Sequence, residues 1–271
     1  MSDLVRGKAT VCVVNYKTLD LTRVCLRSIR KYTDSPHEVL VIDNDSRDSS
    51  VDYLKSLSWI RLAERRPEVP DPSGSWAHGA ALDLGLSLCQ TEFFVAMHSD
   101  AVVLRPGWLA YLIGCLGADP AVASAGGDKI EVKPQWQILL KKAFDVKGLQ
   151  RRLFAGPAGR MRYRPFIRTI CAVYRTEVLR REGLSFLPDV ARRLTVGQKL
   201  HLDLRERGYK TVQLSDSVMR QYLIHLAHAT QMLNPGQFGF DKVAKRWHRV
   251  MGPWLASESF QALLRDDRLD R

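Results

Sequence analysis

The sequence predicts an α/β fold: a mainly parallel sheet with helices on both faces and a C-terminal helical elaboration. Two observations predict it. Short β-branched or apolar runs alternate with helix-like segments through the first hundred residues, the pattern of successive βαβ units. The 271-residue chain, 45% hydrophobic and 26% charged, is long enough to bury one sizeable core and has the composition of an ordinary folded domain.

Thr10 to Val14 reads as the first strand, and Thr18 or Asp20 is placed to cap a helix whose Leu21, Val24, Cys25 and Ile29 share one face. Glu38 to Ile42 is the second strand. Asp43-Asn44-Asp45-Ser46 ends it and supplies caps for a helix carrying Val51, Leu54 and Leu57. Trp59 to Leu62 is a third short strand, followed by a Pro-, Gly- and Ser-rich loop from Pro67 to Ser75. A helix from about Trp76 to Cys89 then leads into the apolar strand Phe93 to Met97, which stops at His98-Ser99-Asp100. Beyond Pro106 the alternation loosens. A helix near Trp108 to Leu116 and a strand near Val122 to Ala125 precede a basic, Pro- and Gly-broken segment from Lys133 to Arg168. A strand near Thr169 to Tyr174, a helix of about Leu194 to Glu206 stopped by Gly208, and a strand from Thr211 to Leu214 complete the pattern.

Composition narrows the function classes. The uncharged, apolar stretch Trp108 to Ala118 is shorter than the roughly 18 apolar residues a membrane span needs, and no other apolar run reaches that length. Asp3, Arg6 and Lys8 precede the first strand and do not form a secretory signal, so a cytoplasmic chain is expected, with the inner membrane face as one station. The five cysteines are scattered and never form C-x-x-C, which argues against a disulfide frame or a thiolate metal site and for small core residues. The net charge of +12 is concentrated between Lys129 and Arg181. It suits a phosphate-bearing substrate, anionic lipid headgroups or nucleic acid, and equally a plain solvated surface.

Ligands of an open parallel sheet sit beyond the carboxyl ends of its strands. Three such ends are polar here: Asn15-Tyr16, Asp43-Asn44-Asp45 and His98-Ser99-Asp100. Asp43 can accept from a nucleobase imide or a ribose hydroxyl, or it can cap the next helix, and both readings stay open. Asp100 puts a charge abruptly at the edge of a buried sheet, where it needs a partner. A divalent cation bridging a diphosphate is one such partner, Mg2+ or Mn2+ suiting hard oxygen ligands, and a cap or salt bridge is the other. His225 and His228, spaced His-x-x-His after Tyr222-Leu223-Ile224, would share a face on a helix; metal or diphosphate contact and a structural role are both open.

At these residues the chain resembles family 2 glycosyltransferases of the GT-A fold. The resemblance runs from Val11-Cys12-Val13-Val14-Asn15-Tyr16 through Val39 to Ser50 and Gly79-Ala80-Ala81-Leu82-Asp83-Leu84-Gly85. It reaches Phe94-Val95-Ala96-Met97-His98-Ser99-Asp100, where the family has its Asp-x-Asp motif. It implies that Asp43 contacts the base, with Asn44 beside it, and that Asn15 and Tyr16 line its pocket. It also implies that Asp83 and His78 border the nucleotide site, and that Asp100, with Ser99 and His98 beside it, holds a metal-diphosphate. His225, with His228 as the alternative, matches a histidine that approaches the metal or diphosphate. Residues 1–105 are then the nucleotide-sugar-binding half and 106–271 the acceptor-binding half of one GT-A domain.

Two departures stand out. His98 replaces the first acid of Asp-x-Asp. The Glu-Asp pair that the family usually carries before the helix ending in Gly208-Tyr209 falls on Val196 and Gly197, which cannot take a proton. Asp189 and, second, Asp128 are the candidate bases in its place. The expectation is transfer of a hexosyl or deoxyhexosyl unit from a nucleoside diphosphate sugar to a glycan or lipid-linked acceptor hydroxyl, with inversion, in glycan or cell-surface polysaccharide synthesis. The rivals are a nucleotidyltransferase, disfavoured by the lack of a glycine-rich loop after the first strand, and a degenerate GT-A binding protein or basic nucleic-acid-binding domain. Nucleic acid is disfavoured because no reading motif is visible.

Overall fold

The computed structural model describes residues 3–128, 166–226 and 251–271. His228 and most of the basic segment from Lys133 to Arg168 lie outside the described residues.

The expected βαβ succession is present as β1 (Val5–Asn15), α1 (Leu19–Tyr32), β2 (His37–Asn44), α2 (Ser49–Ser56), β3 (Ile60–Arg65), α3 (Gly74–Leu88) and β4 (Thr91–His98). A short β5 (Ala101–Val103), α4 (Trp108–Gly114) and β6 (Val122–Gly127) follow. Then come β7 (Cys171–Arg175), α5 (Thr176–Arg181), α6 (Val196–Glu206), β8 (Lys210–Leu214), α7 (Asp216–Met219), β9 (Leu223–His225) and α8 (Glu258–Arg265). Seven strands form one sheet in the order β3-β2-β1-β4-β7-β6-β8. Among the described strands of this sheet, β7 alone is antiparallel to its neighbours. β4 and β6 therefore point the same way across it, and the carboxyl ends of β1, β2, β4 and β6 share one rim.

Strand alternation sorts the apolar residues onto two faces. Val11, Val13, Val39, Val41, Val95 and Met97 pack with Cys25 and Ile29 of α1 and with Trp108 of α4. Cys12, Leu40, Ile42, Phe94 and Ala96 pack with Leu82 of α3 and Leu200 of α6. A third cluster joins Leu21 and Val24 of α1 to Val102, Leu226, Phe260 and Leu263, seating the C-terminal helix on the first one. Cys12, Cys25, Cys89 and Cys171 are buried free thiols and Cys115 is partly buried, as their scatter implied.

The structure extends the sequence reading in two places and corrects it in one. β3 continues through Ala63, Glu64 and Arg65, because as the edge strand it leaves Arg61 and Glu64 exposed and tolerates charge. β5 and β9 pair as a separate two-stranded antiparallel sheet, with Ala101 opposite His225. Leu223 to His225 is therefore extended rather than helical, and the shared helical face expected for His225 and His228 does not apply to His225. Among the described residues, no helix is long and apolar enough to cross a membrane.

Candidate active site

The rim is built by register. Asn15 lies opposite Asp43, and Val14 opposite His98, so β1 sets the ends of β2 and β4 side by side. Asp43 and His98 are thus two strand spacings apart, about 9–10 Å.

Asp43 is fully buried. Its carboxylate accepts from Asn15 Nδ2 at 2.9 Å, Ser46 N at 3.3 Å and Arg66 Nη1 at 2.6 Å. Burial pushes this carboxyl up, but the bonds from Ser46, Arg66 and Asn15 outweigh it and hold the group below the usual carboxylate range. The cap of α2 is Asp48, which accepts from Ser50 N at 3.1 Å, so Asp43 is not the helix cap. Asn15, also buried, shares its amide with Ser46 and Ser50 and accepts from Thr22 Oγ1 at 2.7 Å. Asn44 Oδ1 accepts from Arg65, whose fork holds Asp71 through two bonds of 2.7 Å and so fastens the loop ahead of α3. Lys17, Asp45 and Arg47 hold φ values of 50°, 64° and 51° in the two loops that flank Asp43. A left-handed backbone at non-glycine residues stores strain, which gathers at binding and catalytic sites. Tyr16, directly after β1, is half-buried, with the Lys17 ammonium 5.5 Å from its ring centroid.

Asp100 closes the other side of the rim. It is nearly buried, with His225 Nε2 3.2 Å and His98 Nδ1 3.6 Å from its Oδ1. Burial pushes the Asp100 carboxyl up, yet His225 and His98 outweigh it and hold it well below its ordinary value. His98, Asp100 and His225 each offer a ligand atom, all within 4.8 Å of one another. Two imidazoles and a carboxylate form a mixed nitrogen and oxygen donor set that suits a divalent first-row cation, so these residues fit the metal the sequence suggested. Ser99 faces inward, its hydroxyl 3.3 Å from Thr18 Oγ1. His78, on α3, meets the His98 ring edge-on at 4.8 Å, and burial, followed by the nearby His98, lowers its pKa to about 3.

The remaining candidates sit further along the chain. Asp83 Oδ2 accepts from Ser185 Oγ at 2.6 Å and Oδ1 from Phe186 N at 2.7 Å, bracing the 185–187 segment across α3. Gly79 permits that crossing, since a Cβ there would lie 2.4 Å from the Phe186 carbonyl oxygen. Asp189 is bridged to Leu194 and accepts from Arg192 N at 2.8 Å, capping its own turn. Asp128 follows β6 at the shared rim, where it accepts from Arg168 Nε at 2.9 Å. At the start of α6, a Cβ on Gly197 would meet the Ile167 carbonyl oxygen at 2.6 Å, so no acid fits that position.

Arg66 and Thr169 escaped the sequence reading. The pairing of Asp43 with Glu64 puts residues 64–66 beside the second strand end. Thr169 lies just ahead of the antiparallel β7, which only the strand order could reveal.

Comparisons with known proteins agree with this architecture. The family model described as glycosyl transferase family 2 matches residues 10–183. No curated protein sequence matches the chain. A mannosyltransferase, PcManGT from Pyrobaculum calidifontis in complex with GDP-Man and Mn2+, superposes with a TM-score of 0.53 at 21% identity, over 94% of this chain and 69% of that one. TarS from S. aureus superposes at 0.53 with 16% identity, over 92% of this chain and 43% of its own length. Glucosyl-3-phosphoglycerate synthase from Mycobacterium tuberculosis, in complex with Mn2+, UDP and glucosyl-3-phosphoglycerate, does so at 0.51 with 16% identity, over 92% and 79%.

Proposed function

We infer that this chain, which belongs to glycosyl transferase family 2, moves a hexosyl or deoxyhexosyl unit from a nucleoside diphosphate sugar to an acceptor hydroxyl, with inversion. The observation that carries this reading is the convergence of His98, Asp100 and His225 at the same sheet rim as Asp43. One end of the rim presents a carboxylate suited to a base or ribose, and the other a donor set suited to a cation on a diphosphate. Residues 1–105 form the donor half and 106–271 the acceptor half. Asn15 sets Asp43 in place, and Asn44 with Arg65 fixes the loop over the base side. Tyr16, Ser99, His78 and Asp83 complete the donor pocket and its walls.

His98, Asp100 and His225 would hold Mg2+ or Mn2+, which neutralises charge on a departing nucleoside diphosphate. Asp128 and Asp189 are the proposed bases for the acceptor hydroxyl. Asp128 is favoured by its place at the rim, whereas Asp189 already caps a turn. The basic segment from Lys133 to Arg168 suits an anionic lipid-linked or glycan acceptor, and a chain acting on such a molecule would work in the cytoplasm against the inner membrane face. Glycan or cell-surface polysaccharide synthesis is the setting this chemistry implies.

A donor-binding protein without transferase activity is the second reading, favoured by the packing that bars an acid from position 197. A transfer assay with nucleoside diphosphate sugars separates the two. Asp100→Asn should lower the rate by about 10²–10³-fold, the scale of losing one group that stabilises developing charge. Asp128→Asn should abolish transfer while leaving donor binding intact. A wild-type chain that binds a donor and never transfers its sugar would establish the second reading.

A further inference from the structure

The small sheet that brings His225 to Asp100 is covered on both faces, and by different parts of the chain. Ala101, Val103 and Leu223 turn inward and pack with Cys25 and Ile29 of α1 and Met97 of β4. Val102, Ile224 and Leu226 turn the other way, as strand alternation requires. They meet Leu21 and Val24 of α1, Met251, and Phe260 and Leu263 of α8. Val102 is 1% and Leu226 0% exposed, so the seal over this second face is complete.

The ladder itself is slight. Each strand has three residues, and an isolated two-stranded pair is marginally stable at best in water. Two backbone bonds close its ends, from Leu104 N to the Tyr222 carbonyl oxygen at 2.8 Å and from Leu226 N to the Asp100 carbonyl oxygen at 3.0 Å. The second lies beside the contact from His225 Nε2 to Asp100 Oδ1 at 3.2 Å. His225 therefore reaches Asp100 only while β9 stays on β5, and packing has to keep it there.

α8 is fastened by a buried charge. Arg27 of α1, 3% exposed, donates to the carbonyl oxygens of Leu263 and Leu264 in the last turn of α8, groups that lack partners within a helix. A cation there also suits the negative end of the helix dipole. The same guanidinium forks onto Asp270, which in turn accepts from Tyr53 Oη of α2 at 2.9 Å. A guanidinium buried this far is costly without its anion, so losing the Asp270 carboxylate loosens Arg27 and with it the grip on α8.

We propose that α8 and its Arg27–Asp270 latch are positioning elements of the active site, holding β9 on β5 and thereby His225 against Asp100. The proposal rests on the reading above only in taking His225 and Asp100 as cation ligands. Arg27 and Asp270 act through His225.

The test follows two readouts in the full chain: the exchange rate of the Leu226 amide, and the binding of Mn2+, with the free ion counted by its electron paramagnetic resonance signal. Asp270→Asn keeps the side-chain shape and removes the charge. It should quicken exchange at Leu226 several-fold relative to the amides of β1 and weaken Mn2+ binding by about 10-fold, the scale of losing a group that orients a ligand. In a His225→Ala chain, which already lacks that ligand, Asp270→Asn should add little further loss, because residues that act through one contact are not additive. The same loss in both backgrounds would mark a general loosening of the fold and overturn the proposal. So would a Leu226 amide that keeps its protection while those of α8 lose theirs. Should Asp270→Asn fail to fold, Tyr53→Phe takes a single bond from Asp270 and must still quicken the Leu226 amide; an unchanged rate would overturn the proposal. A wild-type chain that binds no Mn2+ would strike the cation reading, and the Leu226 amide would then decide this proposal by itself.

Discussion

At the scale of the residue, the site depends on buried polar groups that satisfy one another. Asp43 gathers Asn15, Ser46 and Arg66 at the end of a strand with no exposure of its own. Its depressed pKa means that its ionised form stabilises the fold above the ordinary carboxylate value near 4, and that this contribution is lost as pH falls through the lower folded value. Asp43→Asn should flatten the acid side of a stability-against-pH profile measured by urea unfolding below about pH 4. An unchanged acid limb would show that other carboxylates govern it. The sequence made Asp43, Asp100 and His98 legible, because a charged or imidazole group directly after an apolar strand is conspicuous. Arg66 and Thr169 were illegible: one directly follows an edge strand where arginine is ordinary, the other precedes a strand whose neighbours lie far off in sequence.

At the scale of the element, the first hundred residues were readable because parallel strands buried on both faces impose continuous apolar runs and regular polar stops. The pairing of β5 with β9 was not readable. Ala101 to Val103 and Leu223 to His225 are three residues each and separated by more than a hundred others, so only the folded chain reveals that His225 arrives beside Asp100. The C-terminal helix likewise docks through contacts no local pattern announces. Arg27 of α1, almost wholly buried, forms a forked pair with Asp270, donates to the carbonyl oxygens of Leu263 and Leu264, and shares Asp270 with the Tyr53 hydroxyl. Asp270→Ala should cost about 1–3 kcal/mol, because it leaves a buried guanidinium without its anion. Hydrogen exchange over 258–265 should quicken more than in β1, and equal protection in both chains would deny the latch its role.

At the scale of the whole molecule, one sheet rim joins the two ends of the proposed donor site while the +12 charge attracts anionic partners. Replacing Arg160, Arg162 and Arg164 with glutamate should raise KM for anionic lipid-linked acceptors, more so at low ionic strength, and spare neutral glycans. Equal losses for both acceptor types would remove charge as the reason. The central claim is that Asp43 and Asp100 grip one nucleoside diphosphate between them with a divalent cation. The direct measurement is thermal unfolding with UDP, GDP, CDP and dTDP, with and without Mn2+, in the wild-type chain and in Asp100→Asn. One nucleotide at a hundred times its Kd should raise Tm by about 5–10 °C, from about 2.7 kcal/mol of linkage, only with Mn2+ and only in the wild type. No shift with any nucleotide, or the same shift in Asp100→Asn, would contradict it.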